Sequence, residues 1–342
     1  MESAIPGHLT VERTRHRRVP DEYVPPYEAF VARTEPHVEQ VVMAYLGLQL
    51  RDRAASDTEA LLRLDAAFAA TDGPGHHDRS MRDDPAGYTE IVSIAYWDDP
   101  ATFDRWFAEH REGWIGDDLL DSHVGRWIEV IRPTVHEFET IFNVPDRPEG
   151  VAAITKEWSE PIQEHAYWGG MRDRIPLSQT DAMPGVGTPV VERDGRRVRV
   201  RPQQGLCLIR SGQDWADTEG EDRELYLNDV EPVLRAGMDF LRDEGRPIGC
   251  YANRYLTVLS DGRPSDRSFG MSWWRSLDAL ERWSESHPTH VAIFGAAMKY
   301  LTTMGPSARL RLYHEVSVVD ADEQYFEYLN CHENTGLLGA VE

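Results

Sequence analysis

Apolar residues alternate with polar ones along some stretches of the chain and recur every third or fourth residue along others, and these two periods predict its elements. The helical period is clearest after Ser276. That residue stands where a cap is needed, and Leu277, Leu280 and Trp283 recur behind it. Pro288 suits the first turn of a second helix, with Ser286 or His287 near its cap. On that second helix His290, Phe294, Ala297 and Leu301 share one face, at i, i+4, i+7 and i+11. The face is apolar, and Gly295, Ala296 and Ala297 keep the helix slim. A flat cofactor has room to lie on it with His290 as its ligand. Strand alternation follows. Leu310, Leu312, His314, Val316 and Val318 form one row, predicted to face inward, and Arg309, Arg311, Tyr313, Glu315 and Ser317 form the other. A histidine in an apolar row needs a hydrogen-bond partner or a task, and the pattern leaves both open.

Residues 1–37 are rich in Pro, Arg and Glu and read as an extended N-terminal arm wrapping a surface. Residues 38–143 read as one folded unit. Its strands are predicted at 38–50, 88–97, 127–131 and 136–142, its helices at 57–70 and 101–110, and a loop at 72–87. Residues 144–205 are a less regular connecting segment contributing to the site, with the distinctive run His165-Ala-Tyr-Trp-Gly-Gly-Met-Arg-Asp-Arg174. Residues 206–342 form a second unit. It opens with a buried strand ending near Ser211, then a helix with Thr218 and Glu221 as its capping box, restarted at Pro232 and ended by Gly245. A hairpin turns across Ser260-Asp261-Gly262, and the two helices and the strand of His314 complete it. The order from residue 206 is strand, helix, strand, strand, helix, strand, which is ferredoxin-like.

The first unit contains a copy of part of the second. Residues 96–110 align without gaps on 273–287, so that Trp97, Arg105, Trp106 and His110 match Trp274, Arg282, Trp283 and His287. Phe138-Glu139 similarly resembles Phe326-Glu327. An internal repeat defines architecture. The expected fold is α+β, two ferredoxin-like repeats forming a pseudo-symmetric β-barrel flanked by helices, in one compact unit. The repeat also sorts the histidines. His287 has a counterpart in His110 and reads as structural, whereas His290 aligns with Gly113 and His314 roughly with Ile128. A site belonging to the second half alone explains that difference.

Composition narrows the function. The net charge of −23 over 342 residues argues against nucleic acid and anionic membranes and favours a small, weakly charged ligand. Three widely spaced cysteines form no disulfide framework or zinc motif. No signal peptide is read in the charged N-terminal stretch, and no apolar run reaches the roughly eighteen residues of a membrane span, so a cytoplasmic protein is expected. His76-His77-Asp78 has the composition of a metal-ligand set, but adjacent loop histidines are more simply solvated. Cys250 as a thiolate ligand for a flat cofactor is discounted, because it reads as a strand residue without a basic partner nearby.

Taken together, His-Pro-Thr-His290, Leu-Tyr-His314-Glu-Val-Ser-Val, Tyr-Trp-Gly-Gly-Met-Arg-Asp-Arg174, Ile-Arg-Ser211-Gly-Gln-Asp-Trp-Ala and Phe-Glu139-Thr resemble the bacterial aldoxime dehydratases. The resemblance runs nearly end to end, from Arg17-Arg-Val-Pro-Asp-Glu-Tyr to Tyr328-Leu-Asn-Cys-His. It implies haem b, ferrous in the active form, a homodimer, and a lyase that converts R-CH=N-OH to a nitrile and water with the oxime nitrogen at the iron. His290 would then be the proximal iron ligand, with Phe294 and Ala297 against the ring, and His314 the distal acid and base. Ser211 and Arg174 would hold the substrate hydroxyl, Glu139 would hydrogen-bond His314, and Arg172 is an alternative to Arg174. Residues 302–307 are expected to be a loop that varies pocket shape.

The chemistry suits these groups. Axial ligation and distal donors are a protein's levers on haem iron. A histidine titrating near neutrality can give a proton to a poor leaving group and then take the C–H proton. Two other readings stay open: a peroxidase-like haem enzyme on a related two-unit barrel, and a non-enzymatic haem carrier or sensor.

Overall fold

The computed structural model describes residues 1–51, 55–166, 170–201 and 203–340; Tyr167, Trp168 and Gly169 of the distinctive run lie outside the described residues. Twelve of the described strands form one curled antiparallel sheet. In the first half, Val42–Leu50, His76–Asp84, Tyr88–Trp97 and Gly125–Ile131 lie in the spatial order second, third, first, fourth. In the second half, Leu206–Asp214, Cys250–Ser260, Arg263–Trp274 and Arg311–Val319 repeat that order. The halves meet where Met81 pairs with Thr257. Each half also lends a strand to the other: Phe138–Phe142 pairs with Arg311–Val319, and Gln324–Leu329 pairs with Gly125–Ile131. The predicted hairpin is present, turned by Asp261 and Gly262 at φ values of 51° and 72°, the geometry that fits a two-residue loop to strand twist.

The curl has an inside and an outside. Met43, Tyr45, Tyr96, Trp127, Leu208, Trp273, Phe326 and Tyr328 pack in its interior. On the outer face, Val42, Ala44 and Leu46 pack with helices Ala55–Phe68 and Pro100–Ile115. Cys207, Val316 and Val318 pack likewise with helices Glu231–Glu244 and Leu277–Ser286. The aligned tryptophans occupy matching positions: Trp97 meets Trp106 at 5.1 Å and Trp274 meets Trp283 at 5.5 Å between ring centres, tilted by 48° and 40°.

The interior carries a matched pair of buried ionic clusters. Glu129 accepts two bonds of 2.8 Å from Arg254, whose guanidinium lies over the Trp127 ring. Glu315 accepts from the Tyr96 hydroxyl and the Val151 amide, both at 2.7 Å, and Arg210 donates to the same hydroxyl and lies over Tyr313. The two aromatic rings each lie against a glycine. A Cβ on Gly47 would meet Trp127 at 2.0 Å, and one on Gly212 would meet Tyr313 at 2.1 Å. Breaking such a pair by removing one partner costs roughly 3–5 kcal/mol, because the other charge stays buried.

Several expectations change. The row of Tyr313, Glu315 and Ser317 faces the interior of the curl, while His314 lies on the outer face with Val316 and Val318. Alternation marks two faces, but both are covered here, so it could not say which was inside. Residues 76–84 form a strand rather than loop, because each pairs with Tyr88–Trp97. The Thr218–Glu221 capping box is not formed: the Thr218 hydroxyl donates to the Trp215 carbonyl, and the helix Gly220–Leu225 starts without a side-chain cap. A π-helical turn, Tyr226–Val230, separates it from Glu231–Glu244, which Pro232 restarts. The connecting segment is more regular than expected, with the paired strands Val190–Asp194 and Arg197–Arg201 and the short helix Gly170–Arg174. Among the described residues, no helix is long and apolar enough to cross a membrane.

Candidate active site

His290 is placed by two successive helix starts. The Ser276 hydroxyl accepts from the Ala279 amide and caps Leu277–Ser286. His287 then caps Pro288–Met304 through its ring nitrogen and stacks on Phe240, the structural part expected of it. One turn on, His290 Nδ1 lies 2.7 Å from the Ser284 carbonyl oxygen, and its ring meets Trp283 at 4.5 Å. A carbonyl can only accept, so Nδ1 carries the hydrogen and Nε2 the lone pair in the neutral ring. Burial pushes this imidazole down to about 4, with the His314 charge adding to it and the Ser284 bond opposing. The ring is therefore neutral at neutral pH, as an iron ligand must be.

The rest of the helix fits a flat apolar group. It packs mainly on Glu231–Glu244, Leu277–Ser286 and the π-helical turn. Val291 and Phe294 stay 48% and 38% exposed, Ala297 is half-buried, and a Cβ at Gly295 would meet nothing within 4 Å. Leu301 is drawn instead into a cluster with Tyr226, Tyr300 and Leu310. Residues 302–304 are the last turn of the helix and Gly305–Ser307 a 3-10 turn, where a loop was expected.

The outer face of the sheet supplies the polar groups. Leu206–Asp214 continues past Ser211, which is mid-strand rather than at the expected end, and pairs directly with His314. The equivalent pair in the first half is Leu46 and Ile128. Arg174 reaches the same place: its Nε and Nη2 donate to Glu139 at 2.5 and 3.1 Å, and its Nη1 to the Glu164 carbonyl at 2.7 Å. His314 Nε2 lies 2.8 Å from Arg174 Nη2 and 2.9 Å from Glu139 Oε1. As an N–H, that nitrogen donates to Glu139; as a lone pair, it accepts from Arg174. Either protonation state of the ring has a partner. Burial works to raise the Glu139 carboxyl, but the Arg174 and His314 charges outweigh it and hold it below the usual range.

The structure brings His314, Ser211, Arg174 and Glu139 together and separates Arg174 from Arg172. Arg172 binds Glu281 through Nε and Nη2 and the Ala182 carbonyl through Nη1, away from the histidine. His76 pairs with Asp78 inside a strand, and Asp78 with Arg210; among the described residues, no group of three or more His, Cys, Asp or Glu is placed to hold a metal ion. Burial raises the Cys250 thiol, so it offers no thiolate. One neighbour went unassigned in the sequence reading: His165, whose Nδ1 lies 3.2 Å from the Tyr27 carbonyl oxygen. Burial, then the Arg174 charge, pushes it down to about 4, with a contribution from His314. The signal was the distinctive run it opens.

A curled α+β sheet with a neutral, tautomer-fixed histidine on an apolar helix, within electrostatic reach of a His–Glu–Arg cluster, has the features of a haem enzyme. The chain belongs to the haem-containing dehydratase family, whose model matches residues 44–337. It is 46% identical over 347 residues to an aliphatic aldoxime dehydratase of Pseudomonas chlororaphis, covering 99% of this chain and 98% of that protein. It is 33% identical to a phenylacetaldoxime dehydratase of Bacillus sp. strain OxB-1, covering 95% of each. A crystal structure of an aldoxime dehydratase in complex with butyraldoxime is similar at TM-score 0.94 and 44% identity, covering 99% of this chain and 96% of that one.

Proposed function

We propose that this protein is a lyase that dehydrates aldoximes, R-CH=N-OH, to nitriles and water on haem b held by His290. The observation that carries the reading is the cluster of His314, Glu139 and Arg174 beside Ser211, within electrostatic reach of the tautomer-fixed His290. Ferrous haem would supply an electron-rich centre for the oxime nitrogen, favouring N–O cleavage.

The chain's own groups do the rest. Ser211 and Arg174 orient the oxime hydroxyl. His314, as imidazolium held by Glu139, gives its proton to that hydroxyl, which leaves as water with the N–O electron pair. The neutral ring, its Nε2–H still held by Glu139, takes the C–H proton on the nitrogen that gave up the first, and the C–H pair becomes the third C–N bond. The imidazolium is restored, so atoms and electrons balance with no external acid. The partly exposed apolar face of Val291 and Phe294 suits a ring that excludes water from this exchange.

We further infer that the halves are two ferredoxin-like repeats closing as a pseudo-symmetric barrel. The shared strand order, the matched tryptophan pairs and the exchanged strands support this. The units proposed with it are the arm at 1–37, repeats at 38–143 and 206–342, and the connecting segment at 144–205. A homodimer in the cytoplasm is proposed with it, tested by light scattering and by fractionation of the source cells.

The test of function is an anaerobic absorption titration of the dithionite-reduced, haem-loaded protein with butyraldoxime and phenylacetaldoxime, with chromatography for the nitriles. A shifted Soret band with nitrile formed supports the proposal. A bound haem with no shift and no nitrile, but rapid peroxide turnover, would replace it with the peroxidase-like reading; haem transfer to an apoprotein without turnover would indicate a carrier.

A further inference from the structure

We infer that the N-terminal arm and the strand of Glu139 enclose a binding site for ordered water, and that this water completes the Glu139–Arg174 pair and fixes it for His314; the positioning role rests on the aldoxime reading. The site is a cavity of about 40 Å³. Glu139, Thr140 and Arg174 line it from one side, and Ala4, Leu9 and Val31 of the arm from the other. One water needs roughly 10–15 Å³, so the space takes about three waters and no larger ligand.

The cavity follows from how the arm meets the sheet. Phe138–Phe142 is the edge strand beyond Arg311–Val319, so one side of its backbone has no neighbour within that sheet. Among the described residues, the arm meets that side as an isolated bridge, where the Phe30 and Phe142 backbones exchange two bonds of 2.8 Å. Two residues on, an antiparallel ladder would carry the Ala32 amide to the Thr140 carbonyl. The amide donates instead to the Thr140 hydroxyl at 3.0 Å, and the arm turns away to pair Ala32 and Arg33 with Trp158 and Glu157. The Thr140 carbonyl, in a residue 5% exposed, is left without that bond.

The charged groups on the wall also have capacity to spare. Glu139 and Arg174 are both 4% exposed. Among the described residues, Arg174 spends at most four of its five N–H groups, on Glu139, the Glu164 carbonyl and His314. The Glu139 carboxylate has about four lone-pair sites and accepts at most three bonds, from Arg174 and His314. One donor and two acceptors therefore remain, within the two to four partners that a buried water takes. The consequence for catalysis is geometric. Glu139 Oε1 is 2.9 Å from His314 Nε2, so a carboxylate free to turn would turn the ring whose other nitrogen gives and takes the proton.

The experiment uses haem-loaded protein. A high-resolution crystal structure should show water between Thr140 and the Glu139–Arg174 pair, and a dry cavity overturns the inference. Ala4→Leu fills the cavity from the arm, whereas Ala4→Ser leaves room. In Ala4→Leu, kcat for butyraldoxime should fall about tenfold or more, the worth of one hydrogen bond to a charged group. Its haem content, and the aldoxime dissociation constant from the Soret shift, should stay within about twofold of wild type. Ala4→Ser should match wild type within about twofold in all three. An Ala4→Leu crystal without the water but with kcat unchanged overturns the positioning role. So does a parallel loss of haem and affinity, which would make the cavity a matter of packing. If Ala4→Leu does not fold, Val31→Met replaces it under the same criteria. Wild-type protein that binds haem but converts neither butyraldoxime nor phenylacetaldoxime would instead remove the functional reading, and the crystallographic water would then decide the site alone.

Discussion

Replacing Glu139 by Gln tests the central cluster while keeping its shape. The wild-type carboxylate is 1% exposed, takes two bonds from a guanidinium that is 3% exposed, and lies 2.9 Å from His314 Nε2. Glutamine keeps one acceptor oxygen and loses the charge. Arg174 is then left buried with neutral acceptors, the Glu164 carbonyl, His314 and the new amide. Hydrogen bonds to charged groups contribute about 1.5–3 kcal/mol each, and stripping one partner from a buried pair costs roughly 3–5 kcal/mol. With one bond retained, a loss of about 2–4 kcal/mol is expected. At about 2–4 °C per kcal/mol for a large domain, that lowers Tm by roughly 4–16 °C. If the same stabilisation acts on the imidazolium in the rate-limiting proton transfer, kcat falls by about 30- to 1000-fold. The assay is nitrile formation by chromatography on variant and wild type with equal Soret absorbance, together with a thermal melt. A variant with kcat within twofold and Tm within a degree of wild type would refute the argument.

Other outcomes follow from the same geometry. His290→Ala should lose the Soret band after haem reconstitution; a stoichiometric band that persisted would remove His290 as ligand. His314→Ala should retain haem and lose about 10²–10⁴-fold in nitrile formation, so an active variant would end its acid–base role. Gly212→Ala drives a Cβ into the Tyr313 ring and should cost about 1–3 kcal/mol in denaturant unfolding, matched by Gly47→Ala against Trp127. The folded pKa of His165 lies below its unfolded value of about 6.5, so the unfolded state binds the extra proton. Its contribution is present above pH 6.5 and is lost as pH falls towards about 4, by about 3 kcal/mol in all. His165→Gln should flatten that part of the stability–pH curve, and an unchanged slope would show that another group is responsible.

Much of the fold was readable because its signals are local. Ser276, His287 and Pro288 mark two helix starts, and Asp261-Gly262 marks a tight hairpin, through backbone preferences that need no distant partner. The strand at 76–84 was missed because His-His-Asp-Arg-Ser-Met-Arg-Asp-Asp has no apolar alternation. Its partners, Arg210 for Asp78 and Glu90 for Arg82, lie far off in sequence or on another strand. The Thr218–Glu221 box failed for the converse reason: a nearby carbonyl competed for the hydroxyl.

The candidate site divides in the same way. By itself the sequence determined the elements that carry His290 and His314, since period and capping are properties of neighbouring residues. The internal copy also showed that both histidines belong to one half. Only the tertiary structure decided that His314 lies on the outer face, with Ser211 paired beside it, that Arg174 and not Arg172 reaches it, and that Glu139 binds both. Arg172 and Arg174 sit two residues apart in a five-residue helix, and nothing local distinguishes their surroundings. Their fates are set by Glu281, 109 residues from one, and by Glu139 and His314, 35 and 140 residues from the other. Long-range pairing of buried charges makes that choice, and it exists only once the sheet has curled.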